Sequence, residues 1–131
     1  MKLASGNIWS GDKYRAVFTN PTEIAHWKGN LKKHYPVHFR NKKFADAEGA
    51  YKFFKPTAKD LYELCTEIII AKLKQYPILV AIIHDSGGED WIKKCSHHVY
   101  DKSKFWEGDG EDSGFIRCLL KAYQLIKHIN L

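Results

Sequence analysis

The stretch that decides the fold is TAKDLYELCTEIIIAKLKQ, residues 57 to 75. Its apolar side chains recur at intervals of three and four residues, which places them on one face of an α-helix. The members of this stripe are Leu61, Leu64, Cys65, Ile68, Ile69 and Leu73. Thr57 is the expected N-cap, and the pattern ends near Gln75. The stretch therefore predicts one long helix with a buried face.

A shorter helix is predicted to begin at the run Asn20-Pro21-Thr22-Glu23 and to end near Gly29-Asn30. Asn20 is the expected N-cap, Pro21 suits the first helical position, and Glu23 is placed to complete a capping box. Residues 8 to 19 are interpreted as one or two short strands or an irregular arm. Residues 36 to 40 alternate like an edge strand, and Lys43-Phe44 is expected to pair back across an Asn41-Lys42 turn.

Caps and helix breakers outline the remaining elements. One helix is predicted from about Asp46 to Phe54, before Pro56. Another starts at Pro77 and closes at Gly87-Gly88; its β-branched residues make a strand the alternative. Residues 91 to 95 are predicted to form a short helix or turn. Ser113 caps a last helix with an apolar stripe of Phe115, Ile116, Leu119, Leu120, Tyr123 and Ile126. The sum is a single domain over residues 1–131, an α+β fold that is mostly α with a small β element.

The composition favours a folded globule, with 44% hydrophobic and 14% aromatic residues. No stretch reaches the roughly 20 apolar residues that a membrane span needs. The first six residues lack the apolar region of a signal peptide, so we expect a cytosolic protein. Cys65, Cys95 and Cys118 are an odd number without a Cys-x-x-Cys pair, and are interpreted as buried free thiols.

The net charge of +6 is concentrated in one acid-free stretch between Ile24 and Ala45. Its cations are Lys28, Lys32, Lys33, Arg40, Lys42 and Lys43. Such a positive field favours a phosphate-bearing partner, and a nucleic acid is one candidate. The alternative is a solvated loop face without a partner.

Glu48 is the candidate catalytic residue. It lies in the first turn of the helix predicted from Asp46, where backbone N–H groups and the helix dipole favour an anion. The neighbouring aromatic residues, among them Phe44 and Tyr51, are expected to build an apolar wall that strengthens the effect of its charge. The alternative is a surface carboxylate in an ordinary ion pair with Lys52.

A second candidate region is the loop Phe105-Trp106-Glu107-Gly108-Asp109-Gly110. Its glycines permit tight turns and close backbone approach to a ligand, and Trp106 offers a face for stacking. A core tryptophan in a plain loop is the alternative. Upstream, His97-His98 lacks a third histidine at ligand spacing, so no metal site is expected. His98 is the histidine expected to face the pocket.

Four motifs occur in a fixed order along the chain. They are Phe44-x-x-Ala47-Glu48-x-Ala50-Tyr51-x-x-x-Lys55, Ala71-Lys72-Leu73-x-Gln75-x-Pro77, Gly87-Gly88-x-x-Trp91 and Trp106-x-Gly108-x-Gly110-x-x-Ser113. This order resembles the NADAR superfamily, also called YbiA-like, of small N-glycosidases with a mostly helical α+β fold. The resemblance departs at Ser113, where the family has asparagine, at Ile116, where it has glycine, and at Glu107, which separates the tryptophan from the glycine.

The resemblance implies hydrolysis of an N-glycosidic bond at a phosphorylated ribose, with Glu48 as the catalytic glutamate. Such a carboxylate stabilises an oxocarbenium-like centre or activates water. The residues expected to bind substrate are Lys55, Lys72, Trp106, His98, Asp109 and Tyr51. The expected ligand is ADP-ribose or a related ribose phosphate, with ADP-ribosylated DNA as a candidate partner and no cofactor. A non-catalytic module that binds nucleotides or nucleic acids is the alternative.

Overall fold

A computed structural model describes residues 1–4, 15–98 and 105–127. In these ranges six α-helices combine with two small antiparallel sheets, which confirms the predicted α+β class with mostly helical content. The helices are α1 Thr22–Trp27, α2 Ala47–Phe54, α3 Leu61–Gln75, α4 Pro77–Ser86, α5 Glu89–Lys93 and α6 Gly114–Ile126. The strands are β1 Val37–Phe39, β2 Lys42–Phe44, β3 Ser96–His97 and β4 Gly108–Asp109.

Helix α3 lies between two parts of the apolar core. Leu64 and Ile68 pack with α2 and β1, whereas Cys65, Ile69 and Leu73 pack with α6 and α4. Successive helical residues are about 100° apart, so the offset of one position between the two sets divides them between two neighbouring sides of α3. The predicted stripe is therefore buried, except that Leu61 at its start is only half-buried.

The β1–β2 hairpin forms in the predicted region, but its turn lies one residue earlier than the predicted Asn41-Lys42 turn, so that Lys42 belongs to the second strand. Val37 pairs with Phe44 and Phe39 with Lys42, and Arg40 and Asn41 form the turn with φ of 52° and 64°. Two left-handed residues in a two-residue loop match the twist of a hairpin. The side-chain amide of Gln75 donates to the carbonyl oxygen of His38 and accepts from its N–H, both at 2.8 Å, which ties the hairpin to the end of α3.

Two predicted caps are wrong. Thr57 does not cap α3, because it lies in a 3-10 turn spanning Lys55–Thr57, and Asp60 caps the helix by accepting from the N–H of Glu63 at 3.1 Å. Asn20 does not cap α1, because its amide is turned toward the Sγ of Cys65, at 3.7 Å.

The remaining details of α1 also differ from the capping-box prediction. Pro21 occupies the N-cap position and not the first helical position, which is Thr22. The carboxylate of Glu23 lies 2.7 Å from Nδ1 of His34. The helix ends as predicted, because Gly29 has a φ of 82° and the N–H of Asn30 donates to the carbonyl of Ala25.

Helix α6 begins as predicted, since Ser113 Oγ accepts from the N–H of Ile116 at 3.1 Å. The apolar stripe of α6 is buried from Phe115 to Ile126. All three cysteines are buried and free, which confirms that interpretation. Within the described ranges, no helix is long and apolar enough to cross a membrane.

The predicted arm of residues 8 to 19 is described only in part. Ala16–Phe18 forms a 3-10 turn whose residues are buried. Residues 8 to 14 of this arm lie outside the described residues, and so does Asp101.

Candidate active site

Glu48 lies where the N-terminal ends of α1 and α2 meet. The carbonyl oxygen of Asn20 accepts two N–H donors there, from Thr22 at 2.9 Å and from Glu48 at 3.1 Å. One acceptor therefore serves the first turns of both helices, although the two donors are 26 positions apart in sequence. This fixes the backbone of Glu48 against Asn20.

Asp46 joins the same two helices from the other side. Its Oδ1 accepts from the N–H of Gly49 at 2.9 Å, which is the N-cap of α2. Its Oδ2 accepts from the N–H of Glu23 at 3.0 Å, in the first turn of α1. Free N–H groups at helix starts need such partners, and a carboxylate also interacts favourably with both helix dipoles. The junction is thus held by an acidic side chain and a backbone carbonyl.

Lys72 lies in the interior, with only 2% of its surface exposed. Its ammonium donates to the carbonyl oxygens of Val17 at 2.5 Å and Thr19 at 2.8 Å. Burial lowers the pKa of Lys72 to about 7, and the negative charge of Asp46 opposes part of that shift. Lys72 thereby holds the turn that leads to Asn20. Contact of Lys72 with substrate stays a prediction, and two of its three donors are already used.

The side chain of Glu48 is half-buried, and its charge acts on the buried thiol of Cys65. A hydrogen bond with Cys118 and burial raise the pKa of the Cys65 thiol well above its usual value, and the Glu48 carboxylate adds to the rise. Cys65 also receives the amide of Asn20. The Cys65 thiol therefore stays neutral. Both Asn20 and Glu48 interact with it.

Tyr51, one of the aromatic residues predicted to flank Glu48, packs against Trp106 of the second candidate region. Their ring centroids are 5.9 Å apart in an edge-to-face arrangement, and Phe105 contacts Trp106 in the same way at 4.7 Å. Lys55 Nζ lies 5.9 Å from the centre of the Tyr51 ring. Tyr51 is one helical turn from Glu48 on α2, and Lys55 follows directly after the end of α2, so a carboxylate, an aromatic ring and a cation occur in that order. The structure thus brings together Tyr51, Trp106 and Lys55 among the predicted residues.

The Trp106 loop is anchored to the start of α6. Ser113 Oγ donates to the carbonyl oxygen of Trp106 at 2.6 Å while it caps α6. Gly110 has a φ of 53°, and an added Cβ there would meet the carbonyl oxygen of Lys93 at 2.5 Å. The expected tight turn at this glycine is confirmed. Ser113 stands at a position where the resemblance departs, and here it fixes the loop that carries the tryptophan.

His98 and Asp109 pair with each other, with Nε2 and Oδ1 3.1 Å apart. The β3–β4 register explains the contact, because Asp109 lies opposite Ser96, close to His98 in sequence. The Asp109 side chain is 83% exposed, so the pair lies at the surface. No group of three or more metal-binding side chains occurs in the described part of the chain.

The basic stretch divides between two places. Lys28, Lys32 and Lys33 follow α1, whereas Arg40, Lys42 and Lys43 belong to the hairpin. On the hairpin, Arg40 is 2.9 Å from the carboxylate of Glu67. The basic stretch itself contains no acid, so its ion-pair partner is a residue of α3.

The hairpin cations lie over aromatic rings. Arg40 is 4.8 Å from the ring centres of both Phe39 and Phe54, and Lys42 is 5.3 Å from that of Phe53. Phe53 is 54% exposed. We call these five residues the hairpin surface. Cations and an accessible ring side by side suit a ligand that has both phosphates and bases.

Three residues at the junction were not predicted as part of the site. Asn20 and Asp46 were noted only as caps, and Cys65 only as a buried thiol. Asp46 was recognisable as the cap of α2. Its second contact, with the N–H of Glu23 in α1, joins positions 23 apart in sequence. The contact of Asn20 with Cys65 joins positions 45 apart, for which the sequence carries no signal.

Comparison of the chain with protein-family models, with curated proteins and with solved structures finds no match.

Proposed function

We propose that this protein is an N-glycosidase that cleaves the bond between a base and a phosphorylated ribose, such as an ADP-ribosyl group. The observation that carries the proposal is the order of groups on α2 and its neighbours. Glu48 is held at the helix start, Tyr51 packs on Trp106 one turn later, and Lys55 lies over Tyr51. The resemblance to the NADAR superfamily and a cytosolic location are parts of the same proposal.

The chemistry follows from the charges along α2. As the N-glycosidic bond breaks, positive charge develops on the ribose, and the Glu48 carboxylate stabilises that charge or orients the attacking water. In this scheme the apolar rings of Tyr51 and Trp106 exclude water around the bound ligand, which strengthens the effect of the carboxylate. Trp106 offers a face for the base or the adenine, and Lys55 is placed to bind phosphate. No metal or cofactor takes part in this scheme.

Replacement of one carboxylate tests the proposal. Glu48→Gln keeps the size of the side chain and removes the charge, so we expect the rate of base release to fall at least 100-fold, on the order of general acid–base and charge stabilisation effects. Released products from an ADP-ribosylated guanine oligonucleotide, a free nucleotide conjugate and a riboflavin-pathway intermediate are measured by mass spectrometry. Glu63→Gln, an exposed carboxylate in the first turn of α3, is the matched control and should retain the parent rate.

The second candidate function is a non-catalytic nucleotide or nucleic-acid binding module. The hairpin surface favours it, because cations over partly exposed rings bind phosphates and bases without any reaction. Binding of the three compounds without release of product by the parent protein would select this function over the glycosidase.

A further inference from the structure

Two buried side-chain oxygens at the start of α1 make no hydrogen bond, namely Oδ1 of Asn20 and Oγ1 of Thr22. Asn20 is 9% exposed and Thr22 is 1% exposed. Buried polar groups are nearly always paired, and each unpaired one costs on the order of 1–3 kcal/mol. Two such oxygens, two positions apart, therefore lower the stability of the fold, and this loss calls for an explanation.

Both oxygens belong to the junction that holds Glu48. The Asn20 carbonyl accepts the Glu48 N–H at 3.1 Å, and the Asn20 amide nitrogen contacts Cys65, which the Glu48 charge also reaches. The side chains of Asn20 and Glu48 thus approach the same thiol on α3.

The junction is chemically unsuited to phosphate. The N–H groups of Thr22, Glu23, Glu48 and Gly49, which would bind an anion at a helix start, already donate to Asn20 and Asp46. The side-chain groups of the junction that make no hydrogen bond are an amide oxygen, which only accepts, and a hydroxyl. They require a ligand that brings donors, and the hydroxyl groups of a sugar are such donors.

We propose that Asn20 is a specificity-determining residue whose Oδ1 accepts a hydrogen bond from a hydroxyl of the ribose that lies beside Glu48. This rests on the proposed function, which places the sugar at Glu48. It also sets the direction of the ligand: the sugar lies at the start of α2 and its phosphates extend toward Lys55. Seven residues of rise separate Glu48 from Lys55, about 10 Å along a helix axis, which suits a sugar followed by phosphate.

Both oxygens are covered by the fold, so the sugar reaches Asn20 only when a neighbouring side chain turns aside. The energy of the unpaired oxygens then favours binding, because a ligand hydroxyl restores a hydrogen bond that the free protein lacks. Thr22 Oγ1 contributes in the same way, as a donor or an acceptor.

The test measures binding of ribose 5-phosphate and of its 2-deoxy and 3-deoxy counterparts by calorimetry, none of which carries a bond to be cleaved. The parent protein should bind ribose 5-phosphate about 10-fold more tightly than at least one deoxy sugar, since a lost hydrogen bond of this kind costs about 1.4 kcal/mol. In Asn20→Leu that ratio should fall to about 1, and in Thr22→Val it should also fall. Ser86→Ala, whose hydroxyl is paired with the Ile82 carbonyl, is the control and should keep the parent ratio.

Thermal melting separates a ligand contact from a structural one. Asn20→Leu removes an unpaired buried oxygen, so its melting temperature should equal or exceed that of the parent. A ratio unchanged by Asn20→Leu, a parent without preference, absence of binding, or a large fall in melting temperature would each overturn the inference. If the parent protein releases no base from any of the three compounds while Asn20 still controls the sugar preference, the glycosidase fails and the sugar site stands. If turnover depends on Glu48 while the ratio of affinities is the same in the parent and in Asn20→Leu, only the proposed sugar contact of Asn20 is wrong.

Discussion

At the scale of single residues, the interior ammonium of Lys72 has two consequences for stability. Its two hydrogen bonds satisfy the buried carbonyls of Val17 and Thr19, and its charge is costly to bury. Lys72→Met keeps the length of the side chain and leaves those carbonyls without their donor, so we expect a loss of about 1–3 kcal/mol for each. The same ammonium makes the loss depend on pH.

The sign follows from the pKa of Lys72, which is about 7 in the fold and lower than its ordinary value of 10.5. Between these values the unfolded chain binds more protons, so stability rises with pH across this window and is lost as pH falls toward 7. The gap in unfolding free energy between parent and Lys72→Met should therefore widen by about 2 kcal/mol from pH 7 to pH 9. Urea denaturation of both proteins at the two pH values measures it, and a constant gap would contradict the burial argument.

At the scale of elements, Asp46 is one side chain that caps two helices. Loss of an N-cap typically costs about 1 kcal/mol, so Asp46→Ala should cost about 2 kcal/mol, because both α1 and α2 lose a partner. Asp60→Ala is the matched control, since Asp60 caps only α3 and should cost about 1 kcal/mol. Chemical denaturation of the two variants decides it. Equal losses would mean that the contact with α1 contributes nothing.

At the scale of the whole molecule, the hairpin surface is continuous with the helix of the candidate site. Two of its residues, Phe53 and Phe54, belong to α2, which also carries Glu48. If the substrate is ADP-ribose on a nucleic acid, the phosphate backbone should bind at this surface while Glu48 acts on the ribose. Contacts with phosphates release counterions, so affinity for a single-stranded oligonucleotide should fall steeply with salt.

Two hairpin variants separate charge from stacking. Lys42→Ala should lower the slope of log affinity against log salt by about 1, because one phosphate contact is lost. Phe53→Ala should weaken binding by about 1–3 kcal/mol at every salt concentration with the slope unchanged, because stacking carries no charge. Lys121→Ala, an exposed cation on α6, serves as the control. Flat salt profiles for all four proteins would remove the nucleic-acid role.

The sequence by itself determined the elements whose signals are local. The Pro77 start of α4, the Ser113 cap and most of the stripe of α3 appear where they were predicted, whereas the hairpin turn lies one residue earlier, at Arg40 and Asn41. Each depends on residues a few positions apart, and so does the order of Glu48, Tyr51 and Lys55 along α2. The Thr57 cap failed on the same local scale, because a 3-10 turn separates it from the helix that Asp60 caps instead.

Only the tertiary structure decided which distant groups meet. Asn20 was expected to cap its own helix with its side chain, but its carbonyl serves both α1 and α2 and its amide reaches Cys65, since the meeting of the two helix starts offers partners that the local helix does not. Lys72 was expected at a ligand phosphate, and burial between α3 and the Val17–Thr19 turn gives its ammonium two backbone partners. Side-chain hydrogen bonds across tens of residues depend on helix packing, and no local sequence pattern encodes the approach of two helix ends.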